Sequence, residues 1–144
     1  MKDKPRTRRA GKSIMEQYTR LKVLDEIIDR SESFIIAWRI EPDKWPVEYV
    51  SDNIGTIIGY SVDDFVSGCV SWVNITHQDD LPRLEQEVAQ YLEKGTRNWS
   101  QKYRMVTKSG EIRWFRDDNL AIPDADGRII GIIAIVHDIT QYQD

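Results

Sequence analysis

The chain has 144 residues, 40% of them hydrophobic and 31% charged, with a net charge of −4. That is enough for one domain burying roughly two-thirds of its unfolded surface, so no cofactor is required for stability. No apolar stretch approaches the ~18 residues of a membrane span, and no apolar segment follows the basic N-terminus as a secretory signal requires. The single cysteine, Cys69, excludes an internal disulfide and suits a reducing, cytoplasmic interior.

Charge is unevenly placed. Residues 1–12 hold Lys2, Lys4, Arg6, Arg8, Arg9 and Lys12 against Asp3, leaving a body with fourteen basic and twenty-three acidic residues. The acidic body argues against nucleic-acid binding, and the basic tail reads as a solvated, disordered terminus. From Ser13 the pattern changes. Ser13-Ile14-Met15-Glu16 fits a capping box, and a helix over 14–30 follows, within a segment 13–31. Ile14, Leu21, Leu24 and Ile28 form an apolar stripe opposite Arg20, Lys22, Glu26 and Asp29. Such a stripe buries either against its own domain or against a second copy, and both readings stand.

Two extended segments, 34–40 and 45–50, flank Glu41-Pro42-Asp43-Lys44 and read as a hairpin. Ser51-Asp52-Asn53 offers a cap for a short helix over 54–59, and Ser61-Val62-Asp63-Asp64 starts another. Beyond Ser71-Trp72 and His77-Gln78-Asp79-Asp80 comes an amphipathic helix over 81–94, with Pro82 in its first turn, Gly95 as its stop, and Leu84, Val88 and Leu92 on its apolar stripe. Three strands, 98–107, 112–122 and 128–136, close the chain, joined by Lys108-Ser109-Gly110-Glu111 and Asp124-Ala125-Asp126-Gly127, each with glycine where a positive φ is needed. This order describes an α+β fold with a five-stranded antiparallel sheet, helices between strands 2 and 3, and an N-terminal amphipathic helix.

The helix and strand order, Gly59-Tyr60-Ser61, Trp72 with His77-Gln78-Asp79-Asp80, Lys108-Ser109-Gly110 with Arg113-Trp114, and Asp126-Gly127 with Asp138-Ile139-Thr140 together resemble the PAS sensor family, over about residues 14–141. The resemblance places the sensor domain at 32–141. Gln78 stands where the family usually has proline, which leaves that turn less rigid.

The resemblance implies a sensory module that detects a small molecule, a redox signal or a partner. It would relay the change to an attached effector such as a histidine kinase or cyclase through a junction at Asp138 and Thr140. The alternative it allows is a ligand-free dimerisation or interaction module, pairing as a homodimer through Ile14, Leu21, Leu24, Ile28 and the sheet face. The implied ligand pocket lies between the sheet and the long helix, at Val88, Leu92, Tyr103, Met105, Phe115, Asp117 and Asn119.

Strand alternation separates Arg113, Phe115, Asp117 and Asn119 from Ile112, Trp114, Leu120 and Ile122. A closed inner face would demand a ligand, an arginine or water against Asp117. A frayed, wet strand end would not. Haem-binding members carry a histidine on the long helix, and 81–94 has none; flavin photosensors place cysteine in an Asn-Cys-Arg-Phe motif, which Cys69 lacks. Haem and covalent flavin are therefore disfavoured, and any other cofactor stays unknown. No metal cluster, phosphate loop or Ser/His/Asp arrangement is evident in the order of residues, so the chain reads as a non-enzyme. His77 reads as a turn-bonding residue and Cys69 as a small buried one.

Overall fold

The computed structural model describes residues 13–143, so the basic tail expected at 1–12 lies outside the described residues. Helix α1 spans Ile14–Asp29, and strands β1 (Ser33–Arg39) and β2 (Val47–Val50) follow. Three short helices come next: α2 (Ile54–Ile57), α3 (Val62–Val66) and α4 (Trp72–Ile75). The longer α5 (Leu81–Glu93) leads to β3 (Asn98–Val106), β4 (Ile112–Pro123) and β5 (Ile129–Asp138), and a 3-10 turn covers Thr140–Tyr142. One antiparallel sheet carries the strands in the order β2-β1-β5-β4-β3.

The first and last strands are thus central neighbours, in register from Ser33 opposite His137 to Arg39 opposite Gly131. Strand β5 occupies the middle with Ile132, Ala134 and Val136 buried on its inner face, while Ile133 on the outer face stays exposed. A Cβ at Gly131 would meet the Trp38 carbonyl oxygen at 2.9 Å, so glycine lets these two backbones approach. The turns before β4 and β5 hold Gly110 and Gly127 at φ 90° and 86°, as expected for hairpin glycines.

The inner face of the sheet is read off by alternation. Phe34, Ile36 and Trp38 from β1 and Ile132, Ala134 and Val136 from β5 are all buried beneath the helices. Trp72, on α4, is the hub of this core, with its ring centroid 5.8 Å from Phe34, 5.7 Å from Trp38 and 5.7 Å from Phe65. Edge-to-face contacts of this kind add to the area they bury.

One cap differs from its sequence reading. Ser13 with Glu16 and Ser61 with Asp64 form capping boxes as the pattern requires. Asn53, read as a cap for α2, makes no such bond. Its buried amide instead donates to the Ile28 carbonyl (2.7 Å) and the Ser33 carbonyl (2.6 Å), while Ser51 Oγ donates to Asn53 Oδ1 (2.8 Å). Asn53 therefore staples the end of α1 to the start of β1. Asp80, at the N-cap position of α5, makes no cap bond and binds Arg104 instead, a pairing not evident from the order of residues. Cys69, expected to be buried, is exposed in the α3–α4 connection, a segment too short to fold back over it.

Asn53→Ala is expected to cost about 1–3 kcal/mol, because two carbonyls lose their donor. Chemical denaturation measures that loss, and hydrogen exchange should show faster opening at Ile35, whose N–H donates to the Ser51 hydroxyl in the same cluster.

Candidate functional site

Inner-face positions of β3 and β4 bring polar side chains into the core. Tyr103 pairs with Phe115, Gln101 with Asp117 and Trp99 with Asn119 across the ladder. Because these pairs share one face, Tyr103, Asp117 and Asn119 meet. The Tyr103 hydroxyl donates to Asp117 Oδ2 (2.8 Å), and Asn119 Nδ2 donates to Asp117 Oδ1 (2.7 Å). Asp117 is 4% exposed and Asn119 7%, so the frayed, wet strand end is not what forms. Of the ligand, arginine or water that a closed face demands, no arginine bonds Asp117 among the described residues. The buried carboxylate is held by neutral donors, with the Gln101 backbone N–H as a further one.

Burial pushes the Asp117 carboxyl up to about 6, against the downward pull of the Tyr103 and Asn119 bonds. Burial, followed by the neighbouring Asp117 charge, holds the Tyr103 phenol well above its ordinary value. The phenol therefore stays protonated and donates. Trp72 completes the chain by donating Nε1–H to the Tyr103 oxygen at 3.3 Å.

Phe115 and Met105 are fully buried on the same sheet face, and Val88 and Leu92 of α5 are partly buried against the core. Three polar participants were not identified from sequence: Trp72, Gln101 and Trp99. Gln101 Nε2 donates to the Leu84 carbonyl (3.3 Å) and to Glu87 Oε1 (3.1 Å), which fastens β3 to α5. Trp99 stacks on Tyr91, and its buried Nε1–H meets no acceptor. The alternation Trp99, Gln101, Tyr103, Met105 carried the signal for two of these. Two concavities among the described residues lie away from this face, one between α1 and the β1–β2 side, the other between α2 and the β3–β4 turn.

At the C-terminal end, Asp138 and Thr140 bind β4, and Asp138 Oδ1 also accepts the Thr140 N–H (3.0 Å). Arg113 Nε donates to Asp138 Oδ2, Thr140 Oγ1 donates to Asp138 Oδ1 (2.7 Å), and the Trp114 N–H donates to Thr140 Oγ1 (2.9 Å). Burial works against ionisation of Asp138, but the Arg113 and Thr140 bonds outweigh it and hold the carboxyl below its ordinary value. The Asp138 N–H donates to the Glu32 carbonyl, so the segments leading into and out of the sheet touch. Trp114 lies between Lys102 and Arg104, with Nζ and Cζ 5.5 and 5.4 Å from its ring.

The outer sheet face holds an arrangement not evident from residue order. Ser33 Oγ lies 2.7 Å from His137 Nδ1, and His137 Nε2 lies 3.2 Å from Asp118 Oδ2, which lace β1, β5 and β4 together. His77 accepts the Asp79 N–H at Nδ1, the turn bond expected of it. Among the described residues no group of three or more His, Cys, Asp or Glu is placed to hold a metal, and no helix is long and apolar enough to cross a membrane.

A sign follows from the raised Asp117 carboxyl. Its favourable contribution is complete below the unfolded carboxylate range near pH 3.8 and is lost as pH rises through about 6. The loss is on the order of 3 kcal/mol. Asp117→Asn is therefore expected to gain stability relative to the parent chain between pH 4 and pH 7, whatever the other carboxylates do. Paired denaturant titrations at the two pH values check this.

Comparison with known proteins agrees with this architecture. The profile of the PAS fold family matches residues 47–136. The chain is 37% identical over 121 residues to a methyl sulfide methyltransferase-associated sensor from Methanosarcina acetivorans, which covers 84% of this chain and 12% of that protein. The chain thus spans about an eighth of that relative's length. The PAS domain of a Colwellia psychrerythraea protein superposes with a TM-score of 0.67 at 21% identity, covering 84% of this chain and 98% of that one. The N-terminal domain of a diguanylate cyclase with a PAS/PAC sensor from Marinobacter aquaeolei gives a TM-score of 0.62 at 22% identity, covering 75% and 97%. On its sequence and on its fold, this chain belongs to the PAS family.

Proposed function

We propose that this chain is a sensory relay module: a change in the core shifts the sheet, and Asp138-Ile139-Thr140 passes the shift to an attached effector such as a histidine kinase or a cyclase. The observation that carries this reading is the meeting of the two chain ends. The Asn53 staple, the Glu32–Asp138 backbone bond and the Thr140–Trp114 bond form one continuous set of contacts from α1 to the end of β5. A displacement of β5 against β1 has to change that set. The relative from Methanosarcina acetivorans is itself named a sensor, which supports the same reading.

A second reading is an interaction module that pairs as a homodimer, and exposure favours it. Ile14 is 82% exposed, Leu21 64% and Leu24 52%, with Ile28 only partly covered, while Leu120 and Ile133 on the outer sheet face are also exposed. Apolar stripes left open in this way mark contact surfaces. The two readings are compatible, since a dimer contact at α1 would feed the same relay. The expected setting is the cytoplasm, where a reduced Cys69 would persist.

In a chimera that places a kinase or cyclase after this chain, Thr140→Ala is expected to change output severalfold. Loss of its hydroxyl bonds to Trp114 and Asp138 costs about 0.5–1.5 kcal/mol each, small against a domain stability of roughly 5–15 kcal/mol but comparable to typical coupling energies of about 1–3 kcal/mol. Unchanged output with unchanged melting would sink the relay. Leu21→Glu should convert a dimer to monomer in sedimentation while leaving the domain folded, because Leu21 buries little within its own chain.

A further inference from the structure

We propose that Asp117 is a proton-binding site through which the core of this domain responds to pH, the ionised and neutral carboxyl selecting two arrangements of the Tyr103–Trp72 hydrogen-bond chain. This names the signal for the sensory reading and rests on that reading only for the step from core to effector.

Buried carboxylates are ordinarily matched by a cation or neutralised. Asp117 is 4% exposed, and its hydrogen-bond partners are a phenol, an amide and a backbone N–H. Nearby arginines are engaged elsewhere: Arg104 with Asp80, Arg113 with Asp138 and Glu111, Arg116 with Asp118 on the outer face. The other groups around Asp117 add no positive charge. On β4, Asp118 disfavours ionisation. On α5, Glu87 accepts from the Gln101 amide and is ion-paired with Arg83, whose charge it matches. On β5, the residue opposite is Val136. On β3 stands the un-ionised Tyr103, and on α4 the indole of Trp72.

The rings of Phe34, Trp72 and Phe115 on this face pack edge to face. A proton needs no cavity. Its arrival, however, reverses a hydrogen bond. With the carboxyl ionised, Tyr103 spends its one hydroxyl proton on Oδ2 and accepts from Trp72. A proton added from solvent to Oδ2 lets that oxygen donate to the Tyr103 oxygen, and in that arrangement the Tyr103 hydrogen turns away and the Trp72 bond readjusts. A proton added to Oδ1 faces the Asn119 amide hydrogens, so the amide must turn over. It is the proton on Oδ2 that re-forms the chain to Trp72, and Trp72 touches Phe34 and Trp38 of β1, the neighbour of β5. The upward displacement of the Asp117 carboxyl, to about 6, places this exchange within reach of cellular pH.

The test is an NMR titration of the full chain between pH 4.5 and pH 8, following the Asp117 carboxyl carbon and the Trp72 indole N–H, with assignment by Trp72→Phe. The expected result is a carboxyl midpoint near 6, shared by the indole resonance. Asp117→Asn should flatten the indole curve, and Tyr103→Phe should leave the carboxyl titrating while the indole no longer follows it. A carboxyl midpoint in the ordinary aspartate range, or an indole resonance that stays flat in the parent chain or still titrates in Asp117→Asn, would overturn the proposal. These arms need only the parent chain and an isosteric variant, so a Tyr103→Phe chain that fails to fold does not remove the test. Coupled titration without any pH response in the chimera's output would uphold the proton site and count against the relay. A flat titration with Thr140-dependent output would do the reverse.

Discussion

Pairing of β1 with β5 is the constraint on which the rest of the molecule depends. These strands come from opposite ends of the described chain, and their ladder runs from Ser33–His137 to Arg39–Gly131. Contacts between residues so distant in sequence carry a loop-closure cost that only extensive burial offsets. The burial is there: both strands turn fully buried side chains inward, and Trp38 fits against β5 only because Gly131 has no Cβ. Once this pair forms, the end of α1 and the end of β5 are neighbours. The Asn53 staple and the Asp138–Thr140 contacts then have partners within reach.

The inner sheet face is not uniformly apolar, and its polar part is concentrated on β3 and β4, beneath α5. Gln101, Asp117 and Asn119 sit where a core built for stability alone would carry aliphatic side chains. Gln101 is accounted for by its bonds to α5. Asp117 is different, because neutral donors satisfy its oxygens without cancelling its charge. Such a group weakens the fold when ionised, and its persistence in the core is better explained by response than by stability.

The outer face follows another logic. The row Ser33–His137–Asp118 and the bond from Ser100 to Asp118 tie four strands together at the surface. Between these polar rows, Leu120 and Ile133 stay exposed, as does most of the apolar stripe of α1. A helix whose stripe is so little covered by its own domain gains most of its stability from whatever else it touches. The domain therefore presents a rigid, laced sheet and a loosely held helix, joined at Asn53.

Much of this was legible in the order of residues. The hairpin glycines, the capping box at Ser13, the helix start at Ser61, and the alternation along β4 that sets Phe115, Asp117 and Asn119 on one face are local properties, set by the backbone and by neighbouring side chains; that this face turns inward was implied by the family resemblance. The family was legible too, from motifs spread along the chain, and so was the tie at Asp138 and Thr140, although its partners on β4 were not. What sequence could not show was who meets whom across the sheet. Asn53 looked like a cap because caps are local, and became a staple because the β1–β5 pairing set the Ile28 and Ser33 carbonyls in front of it. Asp117 looked as though it needed a ligand, an arginine or water, and found Tyr103 because the β3–β4 register placed a phenol beside it while each nearby arginine met another acid. Cys69 looked buried by composition, and was left outside because the α3–α4 connection had no layer above it. The chain by itself determined the elements, their faces and their order; long-range pairing alone decided which polar groups would share the core, since register is a property of two strands and of neither one.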